Sequence, residues 1–551
     1  MRKRVTGDLT VNAIAGTSSV FFGFDIAKAH RKDLMGFSIL RKNAEEPETK
    51  WLRSSKSFAS IRPSAANEDY SSKDNPFQAF QWADYTAEPG KTYNYEIYSR
   101  HGRAGALSDG AVAKVKVTTE KMAGHPHSVY FNRGAIASQA YTKRFGSVDP
   151  DTVGAAAFDW LTRDLLPGLL SFIGRAKTKK HKLYAAIYET QLPVVLNALK
   201  KASVDAELEL ICEGRDGADA TAKNETMLAD AGLHPPVVIK RTNAKIAHNK
   251  FIVLVENNKP KAVWTGSTNV SKNGLFGQLN VGHAVENSGI ATDYLAYWQQ
   301  LKGDPARKDL QDWAEDNDIE PDSSKPVIED VFSPHRGRDV YKWFVSLASE
   351  AKTGLAMTFP FGMSKEFRSL YAMPSEVFRM ALLDKYVNGG NKASQQIAID
   401  ETDALRKSTK TMLALGNQIR THSVDGWLKE ASGLGLHVNW VHTKFMIIDP
   451  LSSSPTTVTG SANWSEPSTN ENDENMLIIR KDKRVADIYF TEFMRLFSHH
   501  AFRESLKRYL QQHGNVDGWK PQDLKETSKE WLTDHFQDGS QHFNRRTYFS
   551  T

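Results

Sequence analysis

Two short clusters of phosphate-handling residues recur in this chain at one spacing. His248-Asn-Lys250 is followed by Gly266-Ser267-Thr-Asn269, and His442-Thr-Lys444 is followed by Gly460-Ser461-Ala-Asn463. In each copy the glycine comes eighteen residues after the histidine, and the copies lie 194 residues apart. A shared helical pattern extends the repeat, with Tyr294, Trp298 and Leu301 matching Tyr489, Phe493 and Leu496. With 17 histidines and abundant lysine, an isolated His-x-Lys arises by accident, and His30-Arg-Lys32 is one such case because no Gly-Ser-x-Asn follows it at that distance. The repeat therefore carries more than either motif. If each His-x-Lys is a strand, the imidazole and the ammonium share a face and meet one phosphate. Gly-Ser-x-Asn adds a turn where backbone approaches an anion, with hydroxyl and amide donors for the non-bridging oxygens. Two facing half-sites would set His248 and His442 on opposite sides of phosphorus, with Lys250, Lys444, Asn269 and Asn463 around the equatorial oxygens. That arrangement suits in-line displacement without a metal ion.

These groups need a large scaffold, and 551 residues are enough for two to four domains. Hydrophobic content of 40% and charged content of 25% are those of a soluble globular chain, and no apolar run approaches the length of a membrane span. The start, Met1-Arg-Lys-Arg4, is basic but lacks a following apolar segment, so no secretory leader is expected. A cytoplasmic location is the resulting expectation, with export by another route as the alternative. The single cysteine, Cys212, excludes an intramolecular disulfide and a cysteine-rich metal site, and its alternating surroundings mark a buried, inert thiol. A net charge of +6 favours an anionic partner without choosing between a phospholipid or membrane surface and nucleic acid, and is also compatible with ordinary surface charge. The basic run Arg175 to Lys182 reads as a solvated turn before a strand, with binding as the sharper alternative.

Residues 1–122 read as an all-β module. Tyr93, Tyr95 and Ile97 alternate with polar residues after Glu88-Pro-Gly90, as do Ala113, Val115 and Val117 with lysines, and Val20 to Phe24 and Leu34 to Ile39 add earlier strands. The pattern resembles an immunoglobulin or fibronectin type III-like sandwich, expected to fold independently. Beyond it the rhythm becomes α/β. Leu183 to Tyr188, Leu208 to Cys212 and Val237 to Ile239 are predicted strands, with a helix at Leu192 to Leu199. The second half is read the same way: a strand at Leu355 to Phe359, a helix through Phe378 to Leu383, a strand around Ala398 to Asp400, and a helix over 484–512. Gly303 to Pro326 is the expected connector, and a charged tail holds Trp519 and Trp531. The divisions are 1–122, 123–320 and 321–551, the last including a C-terminal helical tail.

Over roughly residues 123 to 500 the chain resembles the phospholipase D superfamily, whose pattern is His-x-Lys, four residues, Asp, then Gly-Ser-x-Asn. The resemblance implies an α/β fold of two duplicated lobes that form one site, here preceded by the small sandwich. It also implies a phosphohistidine mechanism in which one histidine attacks phosphorus and the other protonates the leaving alkoxide, then activates water. One position departs from the pattern. The second copy has Asp449, read as a structural residue, where the first has Val255 followed by Glu256. Downstream, Asn280 and Glu474 are candidate partners of the imidazoles. With Glu474 beside His442 and Asn280 beside His248, His442 would stay protonated as the acid and His248 neutral as the nucleophile, an asymmetry similar to that of the tyrosyl-DNA phosphodiesterase branch. Asn472 to Asn475 could equally be a polar loop. Ser267, Ser461 and Asn280 are read as substrate-binding, and His283 as a candidate supporting residue.

The leading function is hydrolysis of phospholipid head groups, with transfer to an alcohol also open to the mechanism. A nuclease of the same superfamily is the alternative, and a non-catalytic phosphate-binding scaffold the second. Met357, Phe359, Phe361, Met363 and Phe367 could line an acyl site or be core. The duplication implies no obligate oligomer, and neither cofactor nor metal is expected. Turnover should accordingly survive chelation by EDTA, because two lysines and two asparagines stand where a metal clamp would act. Complete loss of activity on chelation, restored by one particular metal, would contradict this reading.

Overall fold

The computed structural model describes residues 1–45, 49–62, 69–134, 139–146, 148, 150–317, 327–387, 389–416, 441–514 and 520–551. Two four-stranded antiparallel sheets form the N-terminal region. One orders Arg2–Val5, Leu9–Ala15, Val20–Ile26 and Gln81–Asp84, and the other Ala106–Thr118, Thr92–Arg103, Leu34–Asn43 and Thr49–Trp51. The alternation seen in the sequence sorts side chains as expected for strands with one solvated face. Tyr93, Tyr95 and Ile97 turn inward with Val115, Val117, Phe22, Phe24 and Phe37.

The two lobes repeat one topology. Each has a seven-stranded mixed sheet, with four antiparallel pairings from one edge and then two parallel ones. In the first lobe the order is His127–Phe131, Val281–Val285, Lys259–Gly266, Lys250–Glu256, His181–Ile187, Glu207–Glu213 and Val238–Arg241. The second runs Ile328–Ser333, Glu474–Arg480, Thr456–Gly460, Phe445–Ile448, Gly354–Phe359, Phe378–Leu383 and Thr411–Leu415. The mixed α/β architecture with duplicated lobes and an N-terminal all-β region is thus that of the sequence reading.

Local expectations fail at several points. Phe378–Leu383 is a strand, not a helix: it is a six-residue run buried along its whole length between two parallel neighbours, and a short apolar run carries no period that separates the two states. Ala398 to Asp400 lies inside the helix Lys392–Leu405, whose N-cap Asn391 accepts from the Ser394 amide and whose buried residues are Ala398, Thr402 and Leu405. That spacing of four and three is a helical stripe. Within the expected connector, Arg307–Asn317 is a helix that buries Leu310 and Ala314; residues 318–326 and Trp519 lie outside the described residues. Met357, Phe359, Met363 and Phe367 are core of the second lobe, each at most 1% exposed, so they line no acyl site.

The sandwich expected to fold independently shares its core with a distant part of the chain. The chain's end returns to it: Asp523–Leu524 pairs in parallel with Ser57–Phe58, and the helix Ser528–Phe536 inserts Trp531 into the sandwich core. Trp531 Nε1 donates to the Leu34 carbonyl at 2.9 Å. The last helix, Gln541–Ser550, lies across Val20–Ile26 so closely that a Cβ at Gly23 would stand 1.9 Å from the Phe549 carbonyl oxygen, and only glycine fits there. Phe549 also packs with Phe21, Phe378 and Phe490, which ties the sandwich to the second lobe. Trp531→Ala removes a buried indole and its hydrogen bond, and should cost about 3–5 kcal/mol. Chemical denaturation together with limited proteolysis should show the sandwich opening first; unchanged protection there would mean that it stands alone.

Candidate active site

Each histidine sits just before a central strand, His248 ahead of Lys250–Glu256 and His442 ahead of Phe445–Ile448, so the expected strands begin after the imidazoles rather than at them. The strands are apolar and buried, which fixes their position in the sheet and aims the preceding loop at the lobe interface. Gly266 and Gly460 have a packing reason. An added Cβ would lie 2.3 Å from the Val281 carbonyl oxygen at Gly266, where φ is +136°, and 2.2 Å from the Asn475 carbonyl oxygen at Gly460.

The half-sites meet, and their supports cross. Nδ1 of His248 lies 2.8 Å from both carboxylate oxygens of Glu474, in the other lobe. Nδ1 of His442 lies 2.9 Å from Oδ1 of Asn280, again across the interface. The pairing is the reverse of the one expected from the sequence. Chain proximity to a motif was the guide there, whereas the strands carrying Asn280 and Glu474 deliver them to the imidazole of the opposite lobe. Backbone bonds fix this crossing twice: the Asp473 amide donates to the Ile246 carbonyl at 3.1 Å, and the His442 amide to the Leu279 carbonyl at 3.1 Å.

Ser267 and Ser461, expected to bind substrate, instead stand behind the imidazoles and are fully buried. Ser267 donates to Asn280 Oδ1 at 2.7 Å and accepts from the Val281 amide. Asn280 donates its own amide to the Gly274 carbonyl, which turns Oδ1 toward His442. Its side chain is thus engaged by Ser267, Gly274 and His442. Ser461 accepts from the Asn475 amide at 3.0 Å, and Ser468 donates to Glu474 at 3.0 Å. The Ser267 hydroxyl is committed to Asn280, and that of Ser461 donates to the Asn475 carbonyl at 3.4 Å. Asn269 and Asn463 differ: each leaves a buried Oδ1 without a hydrogen-bond partner, at matching places in the two motifs.

Lys250 and Lys444 mirror one another. Each ammonium donates to the carbonyl of its own motif histidine, at 2.6 and 2.7 Å, and neither has a carboxylate within ion-pair distance among the described residues. Burial pushes Lys250 down to about 8. Lys444 is driven well below its ordinary value by burial and then by Lys250. Burial, followed by the two ammonium groups, also holds His248 and His442 well below the usual histidine range. Glu474 is pushed up to about 7, burial outweighing the pull of Lys250, Lys444 and the serines. Four nitrogen groups with one carboxylate form a buried, electropositive site that an anion would complete.

Several supporting residues escaped the sequence reading. Asn475 accepts from Tyr294 at 3.0 Å and from Thr265, and donates to Asn249 at 2.8 Å. Arg241, 1% exposed, pairs with Asp473 at 2.8 Å and Asp304 at 2.7 Å. The signal was the run Asn472-Asp-Glu-Asn475, buried throughout, whose first two residues are a connection and whose last two open the strand Glu474–Arg480. Asp449 does hold structure: its carboxylate accepts from the Lys352, Thr353 and Gly354 amides at 2.7 to 3.1 Å. Val255 in the first lobe packs into a core cluster instead. His283 stands in a buried chain, Nε2 at 2.9 Å from His127 and Nδ1 at 3.0 Å from the Tyr489 hydroxyl, which joins the lobes. The run from Arg175 is structural at Arg175, paired with Glu286, and at Lys179, bonded to the Val204 and Ala206 carbonyls. Cys212 is buried and its thiol is pushed up to about 12 by that burial. Among the described residues no group of three or more metal-binding side chains gathers, and no helix is long and apolar enough to cross a membrane.

Glu474 sets the pH dependence. Ionised, above about 7, it accepts the Nδ1 proton of His248 and its negative charge favours positive charge building on the ring; protonated, below about 7, it has lost that charge. Any reaction that builds positive charge on that ring should therefore gain rate as pH rises through about 7. Glu474→Gln should lose this limb and fall roughly 10²–10⁴-fold. A pH–rate profile of both proteins checks this, and an unchanged limb in the variant would assign it elsewhere.

Residues 393–497 match the family model described as cardiolipin synthase, PLD-like domain. No curated protein matches the chain. Among solved structures, it is similar to a phosphatidylserine synthase of Haemophilus influenzae, at 12% identity and a TM-score of 0.44 over 65% of this chain and 92% of that one. It is also similar to the yeast tyrosyl-DNA phosphodiesterase, at 12% identity and a TM-score of 0.32 over 57% and 86%. A third is Nuc, a phospholipase D family member of Salmonella typhimurium, at 19% identity and a TM-score of 0.22 over 32% and 96%. The phospholipase D-like domain is the likeness that the family model identifies in this chain.

Proposed function

We propose that this protein is a metal-independent phosphodiesterase of phospholipase D type that works through a phosphohistidine on His248. The supporting observation is the crossed pair of imidazole contacts, a carboxylate on His248 and an amide on His442. Attack by His248 Nε2 forms a P–N bond and breaks the P–O bond to the leaving alkoxide. The ring, still protonated at Nδ1, becomes cationic, and Glu474 is placed to neutralise that charge. His442 gives the alkoxide its proton. Carrying no carboxylate, it is the stronger acid of the two, and a phosphodiester anion bound beside it raises its proton affinity enough to load it. Water then attacks phosphorus while His442 takes its proton, the P–N bond breaks, and the phosphomonoester leaves. An alcohol in place of water gives transfer. Lys250, Lys444, Asn269 and Asn463 surround the equatorial oxygens.

The role of His248 is thus the one read from the sequence, for the opposite reason: the carboxylate supports the nucleophile rather than the acid. A phospholipid head group is the substrate class carried from that reading, with a nucleic-acid phosphodiester as the second. The burial of Met357, Phe359, Met363 and Phe367 leaves only the half-buried Phe361 of the run that favoured an acyl chain, and a turnover panel of phospholipids, single-stranded and duplex DNA separates the two. The immunoglobulin or fibronectin-like sandwich is read as an accessory that positions the catalytic lobes. His248→Asn should abolish covalent phosphoenzyme. His442→Asn should still form it with a nitrophenyl phosphodiester, whose leaving group needs no proton, while losing roughly 10²–10⁴-fold with an alkyl ester. Rapid quench that found the adduct only in the His248 variant would exchange the roles.

A further inference from the structure

A cleft of about 710 Å³ opens where the sandwich, the second lobe and the last helix meet, and no catalytic group lines it. Its charge is unbalanced. Lys56, Arg406, Arg508 and Arg545 line it, and Glu504 is the one lining carboxylate. Glu504 is already committed, to Arg406 and to the Leu415 amide at 3.1 Å. Lys56, Arg508 and Arg545 are left, coming from three separate parts of the chain, with no carboxylate in ion-pair reach among the described residues.

Several enclosed guanidinium groups elsewhere are paired with a carboxylate, Arg41 with Asp84, Arg163 with Glu492 and Arg241 with Asp473, while Arg379 is held by the Tyr371 and Met373 carbonyls. Arg545 is held only by a neutral partner, its Nε donating to Gln81 Oε1 at 2.6 Å, which fixes the direction of the guanidinium without neutralising it. Burial pushes it down to about 10. Lys56 and Arg508, both exposed, and the more enclosed Arg545 give one cleft three positive charges that an anion would balance. The same cleft offers a flat surface. Trp82 stacks on Phe77 at 3.8 Å, and Tyr85 is 42% exposed. A half-exposed ring beside cations fits a planar ring that carries phosphate.

We propose that this cleft is a binding site for a nucleoside phosphate, distinct from the catalytic centre, with the phosphates on Arg545, Arg508 and Lys56 and the base against Tyr85 and Trp82. A ligand there touches the sandwich, the second lobe and the C-terminal helix at once, so its binding stabilises their docking.

Titration calorimetry of ADP into the full-length chain, at low salt with EDTA, tests this, with adenosine as the uncharged control. The expected result is saturable one-to-one binding of ADP and none of adenosine. Arg545→Gln and the solvent-exposed Arg508→Gln should each weaken it by about tenfold, the size of one charge-assisted hydrogen bond, and Tyr85→Ser by a smaller factor. Lys444→Met should leave the affinity unchanged. No saturable binding up to about 1 mM, binding lost in Lys444→Met but kept in both arginine variants, or an affinity indifferent to Tyr85 would each overturn the proposal.

Discussion

Each imidazole at the centre of this molecule is held by the lobe to which it does not belong. Glu474 reaches across to His248 and Asn280 to His442, and on either side a backbone bond, Asp473 to Ile246 and His442 to Leu279, pins the crossing in register. A hydrogen bond to a buried charged group is worth about 1.5–3 kcal/mol, and leaving one end unpaired costs as much or more. The lobes therefore dock to satisfy these groups, and docking assembles the site in the same event. Asn475, reached from the first lobe by Thr265, Tyr294 and Asn249, and the chain His127, His283 and Tyr489 bind the same interface on either side.

The duplication is symmetric in topology and asymmetric in chemistry. Both lobes share strand order, glycine packing and the lysine-to-carbonyl contact, so the two half-sites face one another with matching groups. What separates the two histidines is one pair of equivalent positions, Asn280 against Glu474. A carboxylate and an amide of similar shape accept the same proton, yet only one neutralises a cationic phosphoimidazole. Asp449 against Val255 is a second asymmetry: Asp449, just after Phe445–Ile448, holds the turn leading into Gly354–Phe359, whereas Val255 packs into a core cluster.

Which residues gather at the lobe interface was largely legible in the sequence because they recur at one spacing, and a repeat survives without any knowledge of the fold. Which residue touches which was not. Glu474 and Asn280 were singled out, but proximity along the chain pointed each to the wrong imidazole, since the interface that exchanges them exists only in three dimensions. The same limit explains Ser267 and Ser461, whose hydroxyls are consumed by backbone amides and by the imidazole supports. The alternation of Tyr93, Tyr95 and Ile97 revealed strands, whereas the uniform run Phe378 to Leu383 had no period to read. Trp531, nearly 500 residues from Leu34, completes a core that local pattern had assigned to residues 1–122 alone.

The crossed support is open to direct observation by long-range proton–nitrogen NMR of the protein labelled with 15N-histidine, the His248 and His442 signals being assigned by substitution. Glu474→Gln should move the ring-nitrogen shifts of His248 and leave those of His442 in place, while Asn280→Asp should do the converse. A Glu474 change felt at His442 and not at His248 would contradict the account at its root.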